Sequence, residues 1–415
     1  MRRLCIGLIK RIIGGETMNK KLHIRFISII LAILLLIPSL NVSASDPELP
    51  DQPSADIPTA AEPVFEGDAK SLILIEASTG MVLYENNADE ALPPASVTKI
   101  MTLLLVMEAV DRGEIKLTDP VTVSEAAASM GGSQVYLEVG EQLTVEEMIK
   151  CVVIASANDA ALALAELVAG SEEAFVAEMN ARAQALGMEN THFENTNGLD
   201  DTTENHVISA RDIAIMSAEL MKHTTILKYT TVWQDSIRNG AFVLTNTNRL
   251  IRFYPGANGL KTGSTSKAGF CISAAAKRDG MQLIAVVMGS STRDSRNETA
   301  KQMLNWGFAN YARITVSNQE ELRIPVSGGK QTTVSADYDS FDLIVSKKNA
   351  KKLETDVQLN ESAEAPVCVG DPVGKMVCMI DGEMVKEVPI YATEAVEKNT
   401  FGSLFLRILK KYLQI

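Results

Sequence analysis

The sequence predicts an α+β fold: one antiparallel sheet assembled from both ends of a mostly helical segment, then a small all-β domain and a terminal amphipathic helix. Three observations predict it. The stretch "SLILIEASTGMVLYEN" is two apolar runs around Ser78-Thr79-Gly80, a β-hairpin. Capped helical patterns follow, as far as the one that opens at Ser209-Ala-Arg-Asp212. The apolar period then changes, and Gly259–Thr265, Gly269–Ala276 and Met281–Met288 have the form of strands, the last two joined by Lys277-Arg-Asp-Gly280. The hairpin and these three strands are expected to share one sheet.

Residues 1–44 have the layout of an export signal. Met18 opens the basic "MNKK", Phe26–Leu40 is apolar but short for a membrane span, and Val42–Ala44 fits a small-residue cleavage site. Residues 45–67, with five prolines and many acids, have the composition of a disordered linker. A buried helix is expected from Ser96 through Val110, since Ile100–Val110 is apolar almost all round. Thr144-Val-Glu-Glu147 is a capping box opening a helix through Ala155. After a break at Ser156–Asp159 come two more helices, stopped by Gly170 and Gly187, and Asn297–Tyr311 is helical again. The main domain is therefore placed at 68–312. Short strands and turns over 313–392 make the small β domain, and 393–415 is a linker with the terminal helix.

That last stretch, "TFGSLFLRILKKYLQI", puts Ser403, Arg407, Lys410, Lys411 and Gln414 on one helical face. Phe401, Leu404, Phe405, Ile408, Tyr412 and Ile415 fill the other. A basic amphipathic helix of this kind lies in a membrane interface; the plain alternative is packing against its own domain. Without residues 1–44 the chain carries 32 basic and 51 acidic residues, a formal charge of −19. Nucleic-acid partners, which require a basic footprint, are excluded on that ground. Cys151, Cys271, Cys368 and Cys378 have no metal-like spacing and are expected as small buried hydrophobes, with a Cys368–Cys378 pair as the alternative.

The chemistry starts at "PPASVTKIMT". Ser96 suits a helix cap, but Lys99 sits where the helix dipole and the apolar surroundings both oppose a cation. Three residues apart on a helix, the two side chains share a face. A desolvated amine is a base, and a base is what turns a serine into a nucleophile. The plain alternative, a capping serine beside a snorkelling lysine, leaves Lys99 unexplained. Two further stretches add to the case. "ASANDA" sets Ser156 and Asn158 in a polar break between apolar helices, where the plain role is a loop capped by Asp159. "GLKTGSTSKAG" sets Lys261, Thr262 and Gly263 on a strand, where a glycine marks close approach by a ligand. A solvated lysine at a strand end is the plain alternative there.

Taken in order, Ser-x-x-Lys, Ser-x-Asn and Lys-Thr-Gly are the three signatures of penicillin-binding proteins and serine β-lactamases. "PPASVTKIMT", "IASANDAALALAE", "FENTNGLDD" and "GANGLKTGSTSKAGF" resemble the low-molecular-weight D-alanyl-D-alanine carboxypeptidases, over about Ala69–Tyr311 and more loosely beyond. The resemblance implies the β-lactamase/DD-peptidase-like transpeptidase fold and a peptidase of peptidoglycan stem peptides that β-lactams inhibit. It implies Ser96 as nucleophile, Lys99 as base and Ser156 as proton relay, with Asn158 orienting substrate and Lys99. Lys261, Thr262 and Gly263 form the substrate-carboxylate strand, and the N–H groups of Ser96 and Ser264 form the oxyanion hole. No cofactor or metal is implied, and the tail is implied to anchor the exported enzyme on the outer membrane–water face. One departure is Ala157, where many relatives carry glycine.

Two rivals remain at this stage. A β-lactamase of the same fold needs a Glu-x-x-x-Asn loop to activate the deacylating water, and Glu194-Asn-Thr-Asn-Gly198 does not match it. A non-catalytic peptidoglycan-binding or β-lactam-sensing protein has no need to keep Ser96, Lys99 and Lys261.

Overall fold

The computed structural model describes residues 63–201 and 203–413; the signal at 1–44 and most of the linker lie outside them. Strands β1 (Ser71–Glu76) and β2 (Val82–Asn86) form the expected hairpin. They join β3 (Ala257–Thr265), β4 (Gly269–Arg278) and β5 (Met281–Ser290) in one antiparallel sheet of order β2–β1–β5–β4–β3.

Alternate residues of these strands sort into two cores. Ile73, Ile75, Ile284, Val286 and Met288 face a layer of helices. Leu72, Leu74, Leu283, Ala285 and Val287 face a single helix across the sheet, through its Ala300, Met303 and Leu304. Burial on both faces explains why β1 and β5 are nearly continuous apolar runs, without polar alternation.

The helical layer centres on α1 (Lys99–Asp111), buried nearly all round as its sequence requires. Around it lie α2 (Val145–Lys150), α3 (Asn158–Ala169), α4 (Glu172–Ala185) and α5 (Ala210–Lys222). Thr144 and Glu147 make the reciprocal capping box, Ser171 and Ser209 cap α4 and α5, and Gly170 ends α3 in a left-handed conformation. The helix across the sheet, α6 (Arg293–Asn310), starts four residues before the expected Asn297, because Thr292 caps a first turn too polar to show an apolar period.

The all-β domain follows α6 directly. Strands β6 (Tyr311–Val316) and β9 (Phe341–Ser346) pair with each other. A six-stranded sheet has the order β10 (Leu353–Leu359), β12 (Pro372–Ile380), β13 (Glu383–Ala392), β8 (Thr333–Asp337), β7 (Leu322–Ser327) and β11 (Ala363–Glu364). Helix α7 (Phe401–Leu413) follows, with Phe401, Phe405, Ile408 and Tyr412 exposed.

Both expected linkers are shorter than the composition predicts. Phe65 already stacks edge-on against Tyr84 and Trp306. Val396 is buried in the β-domain core and pairs with Val367, so residues 393–399 belong to that domain. One apolar residue among charges gives no strand signal. Cys151, Cys271 and Cys378 are buried and Cys368 is exposed, all four as free thiols, so the exposed one departs from expectation.

Candidate active site

Ser96 is not a helix cap. Ala95–Thr98 is a 3₁₀ turn and α1 begins at Lys99. Ala95 has a φ of 50°, a left-handed value that costs a non-glycine residue about 1–3 kcal/mol and persists only where neighbours impose it. Two glycines admit those neighbours. A Cβ on Gly263 would meet Pro94 O and Ser96 N at 2.8 Å, and one on Gly198 would overlap Ala95 O. The strand pattern assigned the gap at Gly263 to a ligand; the protein's own Ser96 turn accounts for it.

Lys99 is fully buried. Its Nζ lies 2.9 Å from Ser96 Oγ, 2.6 Å from Asn158 Oδ1 and 2.8 Å from Asn197 O. Burial first, then the charge of Lys261, holds its pKa well below the ordinary lysine range, with Asp159 pulling weakly the other way. Asn197 lies within the stretch "FENTNGLDD". No side-chain pattern flags it, because its backbone carbonyl makes the contact.

Ser156 and Asn158 arrive from an irregular joint. Cys151–Ala155 forms a π turn, Ser156 is left-handed at φ 63°, and α3 starts at Asn158 with Ala157 in the cap position. Asp159 is therefore not the cap. Its carboxylate accepts from Val135 N at 3.1 Å and Leu137 N at 3.2 Å, pinning the loop beside the site. Asn158 Nδ2 donates to Gly131 O in the same loop at 2.7 Å, which leaves its oxygen facing Lys99.

Strand β3 is the edge strand of the sheet and brings Lys261 to the opposite side. Lys261 Nζ donates to Ser156 Oγ and to Thr262 O, both at 2.8 Å. Burial, then the nearby Arg296, brings its pKa down to about 7. Burial likewise pulls the Arg296 guanidinium down to about 10.

Ser96, Ser156, Thr262, Gly263 and Ser264 line a cleft of about 630 Å³. Lys99, Asn158 and Lys261, at most 2% exposed, stand behind its surface. Arg249, Arg293, Arg296 and Trp233 also line it, and among the described residues no carboxylate does. Sequence patterns missed these four because they come from loops and a helix start without a motif. Thr262 Oγ1 donates to Thr247 Oγ1 at 2.9 Å on the same wall. Among the described residues, no group of three His, Cys, Asp or Glu is placed to hold a metal ion. The arrangement is equipped to deprotonate a serine and to receive an anionic substrate.

Comparison with known proteins gives the family of the chain. The family profile described as D-alanyl-D-alanine carboxypeptidase matches residues 57–292, and that of the penicillin-binding protein 5 C-terminal domain matches residues 311–398. The D-alanyl-D-alanine carboxypeptidase DacF of Bacillus subtilis is 44% identical over 82% of this chain and 89% of its own length. The solved structure of penicillin binding protein 5 from Haemophilus influenzae superposes with a TM-score of 0.72 at 30% identity, over 82% of this chain and all of that one. Penicillin-binding protein D2 from Listeria monocytogenes, solved in an ampicillin-bound form, matches 60% of this chain and all of its own, with a TM-score of 0.55 at 31% identity.

Proposed function

The chain belongs to the D-alanyl-D-alanine carboxypeptidase family of serine peptidases, and on that premise we propose that it removes the terminal D-alanine of peptidoglycan stem peptides through an acyl-enzyme on Ser96. One observation carries the mechanism. Of the three partners of Lys99 Nζ, Asn158 Oδ1 and Asn197 O only accept hydrogen bonds, so they take both N–H groups of a neutral amine. The lone pair is left facing the Ser96 hydroxyl at 2.9 Å. That is the geometry of a general base.

Ser96 Oγ attacks the carbonyl carbon between the last two D-alanines, and its proton passes to Lys99. The N–H groups of Ser96 and Ser264 stabilise the oxyanion, a type of contact worth about 3 kcal/mol per donor. As the C–N bond breaks, Ser156 gives its proton to the leaving nitrogen and Lys261 replaces it. Water then attacks the ester carbon, its proton passing through Ser156 to the neutral Lys261 while Lys99 returns its proton to the departing Ser96 Oγ, so both lysines regain their starting states. Thr262, on the cleft wall, receives the substrate carboxylate, with the exposed Arg249 and Arg293 and the buried Arg296 supplying positive charge around it. Lys261, behind it, acts through Ser156 and by disfavouring a second cation at Lys99.

β-Lactams enter the same cleft and acylate the same serine. The β-lactamase alternative lacks support: no carboxylate lines the cleft, and that of Glu194 is occupied with the N–H groups of Glu204 and Asn205. A purely binding protein gains nothing from a desolvated lysine aimed at a serine.

The signal-like 1–44 supports export, and the exposed apolar residues of α7 support attachment to the outer face of the membrane. No helix among the described residues is long and apolar enough to cross one. The direct test is incubation with a peptide ending in D-Ala-D-Ala and measurement of free D-alanine. Release is expected from the wild type and not from Ser96→Ala; equal release from both overturns the assignment.

A further inference from the structure

The strained turn that carries Ser96 has one support that no signature contains. Thr98 Oγ1 donates to Ala95 O at 2.9 Å and lies 2.8 Å from His206 Nε2. On the far side of the ring, Glu194 N donates to His206 Nδ1 at 3.0 Å. These contacts fix every proton. Nδ1 accepts, so the neutral imidazole carries its proton on Nε2. The hydroxyl of Thr98 has a single proton, which it gives to a carbonyl that can only accept, so it must in turn accept from Nε2. The chain runs one way, from Glu194 N–H through His206 and Thr98 to Ala95 O.

The ring is buried, packs edge-on to Phe193 with centroids 5.8 Å apart, and is held neutral by that burial, with a pKa of about 4. Its loop also touches the site directly. Asn197 O accepts a hydrogen bond from Lys99 Nζ, and Gly198 lies where any Cβ would overlap Ala95 O.

We propose that His206 is a positioning residue for Ser96: through Thr98 it holds the left-handed Ala95 in place and so aims the serine hydroxyl at Lys99. This rests on the acyl-enzyme reading. The imidazole touches neither substrate nor reacting atoms, so its loss should slow acylation without weakening the preceding non-covalent binding.

The test is stopped-flow acylation of the full chain by a fluorescent penicillin, which separates the acylation rate constant from the dissociation constant. His206→Ala is expected to acylate about tenfold more slowly, equivalent to about 1.4 kcal/mol of barrier, with the dissociation constant unchanged. Thr98→Val, equal in shape but without the hydroxyl, should lose a similar factor. The double variant should be no slower than the worse single, because both act through one chain of bonds. His206→Gln, which keeps an N–H near the Nε2 position, should recover most of the rate. Wild-type acylation by His206→Ala, or losses that multiply in the double variant, overturns the proposal. If His206→Ala does not fold, Thr98→Val decides alone, and a wild-type rate there overturns it. A wild type that takes no label at all sinks the acyl-enzyme reading itself.

Discussion

Asn158 holds Lys99 at 2.6 Å with its amide oxygen while its amide nitrogen is tied to Gly131 O at 2.7 Å. The backbone carbonyl thus fixes which end of the amide meets the lysine. A reversed amide would point N–H at the amine and force its lone pair away from Ser96. The acid–base state of the site is therefore set in part by a loop outside all three signatures.

Lys99→Ala should fold and yet acylate about 10²–10⁴-fold more slowly, the usual cost of losing a general base. Penicillin labelling followed over time measures it. An undiminished rate would assign the base elsewhere.

Gly263→Ala should damage acylation more than stability. Its new methyl would sit 2.8 Å from Pro94 O and Ser96 N, and overpacking of this kind costs about 1–3 kcal/mol. The Ser96 turn is the part able to yield. Thermal unfolding and labelling measured side by side should show a small shift in Tm with a large loss of rate; the reverse pattern would place the strain elsewhere.

Lys261 should also leave a mark on stability. Its folded pKa is about 7 against an ordinary value of 10.5. Between those values the unfolded chain binds more protons, so this group's contribution to stability rises as pH increases from 7 towards 10.5. In Lys261→Met that contribution is absent. The wild type should therefore gain on the variant across this window in denaturant unfolding, and parallel curves would contradict the depressed pKa.

A β-lactam should remain bound after acylation, because no cleft carboxylate is available to activate water. Mixing with a chromogenic cephalosporin should give a burst of one equivalent and then almost nothing. Steady hydrolysis would restore the β-lactamase alternative.

Deleting 400–415 should release the protein from anionic vesicles without changing its activity on a soluble peptide. Burying Leu404, Phe405, Ile408 and Tyr412 contributes about 1.5–3 kcal/mol for each side chain fully buried. The basic residues add about 1 kcal/mol each, which salt screens. High salt should therefore loosen the intact protein only in part. If the truncated chain still sediments with vesicles, the helix is not the anchor.

Much of this was legible in the sequence because the relevant signals are local. The hairpin turn, the caps at Thr144 and Ser209, and the apolar period of β4 and β5 each leave a pattern within a few residues. Ser96 and Lys99 stood out because a cation contradicted its surroundings. The missing parts act at long range or through backbone. Asn197 works by its carbonyl, Arg296 becomes part of the cleft only when α6 docks on the sheet, and His206 matters because of a threonine 108 residues away. The hairpin of Gln234–Ile237 with Phe242–Thr245 was overlooked because Gln234, Asp235 and Ser236 make the first strand polar and the apolar run Phe242–Leu244 is too short to show a period.

The register of the central sheet has a consequence in time. Ser71 in β1 pairs with Met288 in β5, so the sheet cannot close until nearly the whole catalytic domain has been synthesised. At about 5–20 residues per second the partner strand follows on the order of ten seconds or more behind, and such distant pairings fold slowly once both strands are present. For that interval β1 and Ser96 belong to an unfolded chain, the form in which a polypeptide can be threaded through a narrow translocation channel. Folding, and with it the desolvation that makes Lys99 a base, is deferred until the strand order can be completed.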